Sequence, residues 1–230
     1  MRVAGSNRDD TWGRIRTAGV DLLYRHGYEA MNTRQLAEAA GLKPGSLYYY
    51  FKSKEEFLHR LLVDLLEEIL ADLDATLAEV KGGLAVKQLD AFVRTLVKWH
   101  VQRREETFIA SIEIRSLSQD RHESYIELRD RFDSTLRDIL LRGIADGEFS
   151  LSREIVVRNA LLTALTAISG WYDPRGQLGV DAISDEFVLL ARRMVGAPGP
   201  VDAPARRASL SNGGNESADG APRSRGKSRR

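Results

Sequence analysis

Apolar residues recur at three- and four-residue intervals through most of the chain up to residue 196, and no segment alternates apolar with polar positions between turns. That period is helical, so the chain is expected to be all-α, with about nine helices. The first is predicted over residues 11–26 and stops at Gly27; two short ones follow within 33–51. A fourth is predicted over 53–80. Its stripe of Phe57, Leu58, Leu61, Leu62, Leu65, Leu66, Ile69, Leu73 and Leu77 is wide enough to touch two bodies. Gly82-Gly83 breaks it. Further helices are expected over 84–104, 106–117, 120–145, from 152 to 171 or 172, and within 181–195.

The run TRQLAEAAGLKPGSLYYYFKSKEEFL, residues 33–58, carries the most specific information. Thr33 is an N-cap candidate ahead of Leu36, Ala37 and Ala40. Gly41 suits a sharp turn, and Pro44 can open the next helix because its missing N–H needs no partner there. Leu47 and Phe51 are four apart and share an inward face. Tyr48 and Tyr49 then point elsewhere, beside Lys43, Ser46, Lys52 and Lys54. An outer face of hydroxyls and ammonium groups suits phosphates and base edges. Arg34 is placed to reach a base or a neighbouring phosphate, Thr33 can contact phosphate through its hydroxyl or the helix N-terminus, and Gly45 lets the backbone approach DNA closely. Ser53 with Glu56 reads as the capping box of the fourth helix.

This stretch resembles the helix-turn-helix of the TetR/AcrR family of bacterial transcriptional regulators over about residues 10–60. Ile15, Ala18, Leu22, Leu23, Gly27 and Met31 stand where that family places its small core. The resemblance implies a phosphate contact from Lys54. It also implies a C-terminal helical domain that binds an inducer and dimerises. Tyr50 stands where the family often has His, so no base preference is carried over. The expected organisation is a flexible arm at 1–10, the DNA-binding domain at 11–54, a ligand-binding and dimerisation domain at 55–196, and a disordered basic tail at 197–230.

Charge follows that division. Lys and Arg number 34 against 33 Asp and Glu, yet residues 1–54 carry a net +4, residues 197–230 another +4, and the middle −7. Only the ends suit nucleic acid electrostatically. The chain contains no cysteine, its four histidines are scattered without metal-ligand spacing, and no nucleophile elbow, P-loop or dinucleotide fingerprint occurs. No enzyme activity, metal or cofactor is expected. No apolar run approaches the ~18 residues of a membrane span, and the first residues lack the apolar core of a secretory signal, so a soluble cytoplasmic protein is expected.

In the middle region Trp99, Phe108, Glu113, Arg115, Arg121, Tyr125, Arg129 and Trp171 are the candidate ligand-binding residues. The segments around Ser124-Tyr125-Ile126, Gly143 to Phe149 and Trp171 to Leu178 resemble the TetR-type repressors of actinobacterial steroid and fatty-acid catabolism, which answer to acyl-CoA thioesters. Apolar walls would take an acyl chain, and arginines at the mouth would hold phosphates. Ala160, Ala164 and Ala167 with Ile168, and Ile183, Phe187 and Leu190 on the last helix, are the candidate dimer interface, since small residues at helical spacing permit close approach. The resulting expectation is a homodimeric repressor on a palindromic operator of double-stranded DNA, released by a small-molecule inducer. An activator or a drug-responsive efflux regulator of the same family is the alternative.

Overall fold

The computed structural model describes residues 6–197, with side chains from residue 10 onward. The described residues form ten α-helices and one 3-10 turn, without strands. Apart from Ala197, the expected tail lies outside them. So do residues 1–5 of the expected arm, whose remainder joins the first helix.

The first three helices are α1 (Ser6–Ala30), α2 (Thr33–Ala39) and α3 (Pro44–Leu47). Gly27, at φ 75°, puts a non-helical break inside α1. The N-cap of α2 is Asn32, one residue earlier than expected. Its side chain accepts from the Gln35 backbone N–H, and the Gln35 side chain accepts from the Asn32 N–H. This reciprocal box satisfies two orphan donors, so Thr33 becomes the first helical residue. The close of α2 is a Schellman turn: Gly41 N–H donates to Glu38 and Leu42 N–H to Ala37, with Gly41 at φ 66°.

Helix α4 (Lys54–Glu79) runs unbroken across the expected 54/55 boundary, with Ser53 as its N-cap. Its start packs into the N-terminal helices. Phe57 is fully buried against Phe51 at 5.3 Å between ring centroids and meets Trp12 edge-on at 6.0 Å. Its later turns bury Leu65, Leu66, Ile69, Leu70 and Leu73 in the larger core.

The centre of that core is α5 (Ala85–Gln102), whose Leu89, Phe92, Val93, Leu96 and Val97 are wholly buried. Glu148 accepts from the Ala85 and Val86 N–H groups and so caps α5 from a distant loop. Around α5 lie α6 (Arg104–Glu113), the 3-10 turn Ile114–Ser116, α7 (Gln119–Ala145), α8 (Glu154–Thr166), α9 (Ile168–Trp171) and α10 (Val180–Met194). The single helix expected from 152 onward is divided into α8 and α9 at Ala167. Beside the break the Thr166 hydroxyl donates to the Leu162 and Thr163 carbonyls, competing with the helical ladder. Arg192 ties α10 to α5 through Asp90.

Helices α1 and α4 approach closely at Gly19. A Cβ placed on Gly19 would lie 2.1 Å from the Phe57 ring, which is locked in the core. Gly19→Ala is therefore expected to destabilise the fold by about 1–3 kcal/mol through overpacking. Chemical denaturation of the two proteins at equal ionic strength measures it.

Candidate nucleic-acid interface and ligand cavity

The α2–turn–α3 unit presents one polar, aromatic face. Leu36, Ala37, Leu47 and Phe51 are buried beneath it. Arg34, Lys43, Gly45 and Ser46 are exposed, Thr33 is half-buried, and Tyr48 and Tyr49 are 58% and 67% exposed. The four residues of α3 are followed by turns whose Tyr50 and Phe51 N–H groups both donate to the Leu47 carbonyl. Tyr50 packs against the core while meeting the Tyr49 ring edge-on at 5.4 Å. A Cβ added at Gly45 would meet nothing, so the chain's own packing does not require glycine there. Arg14, unremarked in the sequence, donates to the Ala40 and Gly41 carbonyls and pins the turn to α1.

Lys54 departs from its expected role. Its ammonium donates to the Tyr28 carbonyl at 2.9 Å and lies 4.1 Å from the centre of the Tyr28 ring. It fastens the start of α4 to the end of α1 rather than projecting as an open cation.

A belt of polar contacts joins these helices to α6 and α7. Glu113 accepts from the Tyr28 N–H at 2.9 Å and from the Ser116 hydroxyl at 2.8 Å. Glu55 accepts from the Ser118 N–H at 2.7 Å and lies 3.7 Å from Arg121; the Ser118 hydrogen bonds hold its carboxyl below the usual range. His59 and Ser124 are 2.9 Å apart. Arg16 bridges Glu68 and Glu106, both of which Arg103 also holds. Tyr24 meets Phe108 edge-on at 5.6 Å.

Of the expected ligand residues, Glu113, Arg121 and Phe108 take part in this belt, and Phe108 and Glu113 also line a cleft with Leu23, Tyr24 and Ile112. Three others also lie apart from the cavity that Tyr125 lines. Trp99 donates to Asp72 at 2.8 Å beneath the Arg103 guanidinium, Arg115 is exposed on the 3-10 turn, and Trp171 is half-exposed and stacked on Phe187. The reason is common to all six. Sequence spacing shows that a polar or aromatic side chain sits on a helix, but not which neighbour its face meets.

The remaining two, Tyr125 and Arg129, do line a cavity of about 80 Å³. Leu65, Leu66, Ile69, Leu96 and Phe132 form its apolar wall; His100, Thr107, Ser111 and Thr166 supply polar atoms, with Ala110 between. His100, Thr107, Ser111, Phe132 and Thr166 were not among the expected ligand residues. Their signal was spacing: Thr107, Ala110 and Ser111 share one face of α6, and Tyr125, Arg129 and Phe132 one face of α7. Burial keeps the Tyr125 hydroxyl well above its ordinary pKa and drives His100 down to about 4, so both are neutral near pH 7.

Of the expected dimer residues, Ala160, Ala164, Ala167 and Leu190 are exposed and Phe187 is half-buried. Ile168 and Ile183, 0% and 3% exposed, are spent on their own chain's core and offer nothing to a second copy. Among the described residues no helix is long and apolar enough to cross a membrane, and no cluster of three potential metal ligands occurs.

Comparison with known proteins bears on the family and the fold. Residues 15–61 match the profile of bacterial regulatory proteins of the tetR family, and residues 82–195 match the tetracyclin repressor-like C-terminal domain. The HTH-type transcriptional repressor KstR2 of Rhodococcus jostii (strain RHA1) is 28% identical over 199 residues, spanning 83% of this chain and 96% of its own. The crystal structure of a tetR-family regulatory protein from Rhodococcus RHA1 superposes with a TM-score of 0.77 at 26% identity, covering 82% of this chain and 98% of that one. AibR, solved with isovaleryl coenzyme A and operator DNA, shares the fold at a TM-score of 0.71 and 17% identity, covering 81% and 99%.

The buried His100 has a thermodynamic signature. Its folded pKa of about 4 lies below the ordinary 6.5, so between these values the unfolded chain binds the extra proton. Its contribution to stability is complete above pH 6.5 and is lost as pH falls towards 4, by about 3 kcal/mol at most. Denaturation at pH 7 and pH 4.5 is expected to show a larger acid loss in the wild type than in His100→Leu.

Proposed function

The chain belongs to the TetR family of bacterial transcriptional regulators, and we propose that it is a homodimeric repressor whose inducer enters the α4–α5–α6–α7–α8 cavity. The observation that carries the DNA-binding half is the exposed face of α2 and α3. Its tyrosines and cations are not consumed by the core, and a Schellman turn holds it rigid. Tyr48, Tyr49, Thr33, Ser46 and Lys43 contact phosphates, while Arg34 reaches a base edge. Gly45 is explained from outside the chain, as the point where the helix backbone meets DNA. Lys54 contributes to the same surface through fastening. In a dimer two such faces lie about 34–36 Å apart, one turn of a palindromic operator.

A second copy is best received by the exposed alanine stripe of α8, Ala160, Ala164 and Ala167, together with Leu190 and the Trp171–Phe187 pair. Small side chains at helical spacing let two helices approach closely across a two-fold axis.

Induction follows from what α6 and α7 touch. One side of α6 supplies Thr107, Ala110 and Ser111 to the cavity; its end supplies Glu113 to α1. Helix α7 supplies Tyr125 and Arg129 to the cavity and Arg121 to the start of α4. A ligand that spreads the cavity therefore shifts the helices on which the reading heads are mounted. Coupling of about 1–3 kcal/mol would release most operators. An acyl-CoA thioester suits the site, with its acyl end in the apolar cavity and Arg129 towards the polar end. AibR, which shares the fold, was solved with a thioester of that class, isovaleryl coenzyme A. Repression would take place in the cytoplasm, where the DNA is.

An operator selected from random DNA provides the test. Tyr49→Ala is expected to weaken its binding at least tenfold, with a thermal melt establishing that the variant folds. Micromolar acyl-CoA, but not free CoA, is expected to release the wild-type complex. Unaltered affinity in the variant ends the assignment of the face. Release by a cationic drug but by no thioester moves the protein to the efflux regulators.

A further inference from the structure

The polar lining of the cavity is divided between helices. On α6 and α8 the hydroxyl protons are spent within the helix. Thr107 donates to the Arg103 and Arg104 carbonyls, Ser111 to Phe108, and Thr166 to Leu162 and Thr163. On α7 the donors are not spent. Tyr125 and Arg129 stand one turn apart on the face that lines the cavity, and neither side chain makes a hydrogen bond or an ion pair with another described residue. Asp133, a turn further along, senses the Arg129 charge without pairing with it. Tyr125 is only 6% exposed, yet its hydroxyl is not sealed from water, whereas Nδ1 of His100 is. A buried hydroxyl almost always has a partner, so one that opens onto a cavity is served from that cavity. Burial keeps it protonated near pH 7, and its proton is therefore available to a ligand.

Resting on the reading of this cavity as the site of an acyl-CoA inducer, we propose that the Tyr125 hydroxyl donates to the thioester carbonyl oxygen. Tyr125 is then the residue that separates a thioester from a thioether. The acyl chain lies against Leu65, Ile69, Leu96 and Phe132, and the carbonyl, where chain and coenzyme meet, turns towards α7. Turned towards α6 or α8, the same oxygen would meet hydroxyls whose protons are already given away. The fixed positive charge of Arg129 beside the hydroxyl favours an electron-rich oxygen there and repels a cation. Helix α7 also carries Arg121 to the start of α4, so the group that is read sits on an element that touches the reading head. Free CoA is a thiol and has no carbonyl to present at this place.

Butyryl-CoA and S-butyl-CoA differ in one group, a carbonyl in the first and a methylene in the second, and their short chains suit a cavity of about 80 Å³. Binding of each to the full chain is measured by calorimetric titration, and release of operator DNA in parallel. Butyryl-CoA is expected to bind about fivefold or more tightly than the thioether, which leaves a buried hydroxyl unpaired. Tyr125→Phe keeps the ring and removes the donor. It should bring the ratio below about twofold, with a thermal melt establishing that the variant folds. His100→Leu, on the same cavity, should leave the ratio in place. Equal or reversed affinities in the wild type overturn the carbonyl reading. A preference that survives Tyr125→Phe, or that His100→Leu abolishes, overturns the role of Tyr125. If both compounds bind alike and both release the operator, the acyl-CoA reading stands and only the carbonyl inference falls. If neither binds nor releases the operator, the acyl-CoA reading falls and takes this inference with it.

Discussion

One backbone N–H ties the reading head to the rest of the molecule at the end of α1. Gly27 turns into the left-handed region at φ 75° and breaks the ladder of α1, so the next amide, that of Tyr28, looks outward. An amide at a half-buried junction costs free energy unless it is paired. Its acceptor is the carboxylate of Glu113, the last residue of α6, itself steadied by Ser116. The end of α1 is thus defined by a residue of the ligand domain. Lys54 closes the same corner by donating to the Tyr28 carbonyl, so both polar groups flanking this residue are answered from other helices. Around the corner, Arg16, Glu68, Arg103 and Glu106 alternate in sign across α1, α4, the α5–α6 junction and α6. Apart from Arg103 and Glu106, three residues apart, their sequence separations give no hint of that meeting.

The elements were legible because helical period, glycine breaks and capping residues act locally. The helix-turn-helix was legible in more detail. Gly41, Pro44, Leu47 and Phe51 each have one reading, and the structure places all four accordingly. Thr33 was displaced as N-cap by Asn32, since a reciprocal Asn–Gln box satisfies two donors where a hydroxyl would satisfy one. Lys54 was given a phosphate contact by the family resemblance, and nothing local in the sequence shows its partners within the chain. Its partners lie 25 and 26 residues away. The cavity was least legible. Tyr125 and Arg129 drew notice as aromatic and charged residues, whereas Thr107, Ser111 and Thr166 look like ordinary helix positions. Their role depends on which side of each helix faces the cavity, and that is fixed by long-range packing onto α5.

The dimer surface shows the same limit from another side. A stripe of alanines was readable from its spacing. Which apolar residues remain for a partner, however, is decided by what the chain has already buried. Ile168 and Ile183 carry the right chemistry but are enclosed, while Leu190 and Trp171 stay at the surface. Most of the stripe's apolar area comes from small groups, so affinity between copies would rest on close backbone approach rather than on large anchors.

Because α6 serves the cavity on one side and α1 at its end, its positions are not equally free to change over evolutionary time. On the proposed reading, a substitution at Thr107, Ala110 or Ser111 would alter ligand fit and head placement together, and selection would see both at once. Phe132 on α7 and Thr166 on α8 line the same cavity several turns or a whole helix away from Glu113 and Arg121. They form a permissive wall. New effector chemistry can be acquired there by single substitutions while the mounting of the reading heads stays intact, and descendants of such a protein would diversify in ligand sooner than in operator geometry.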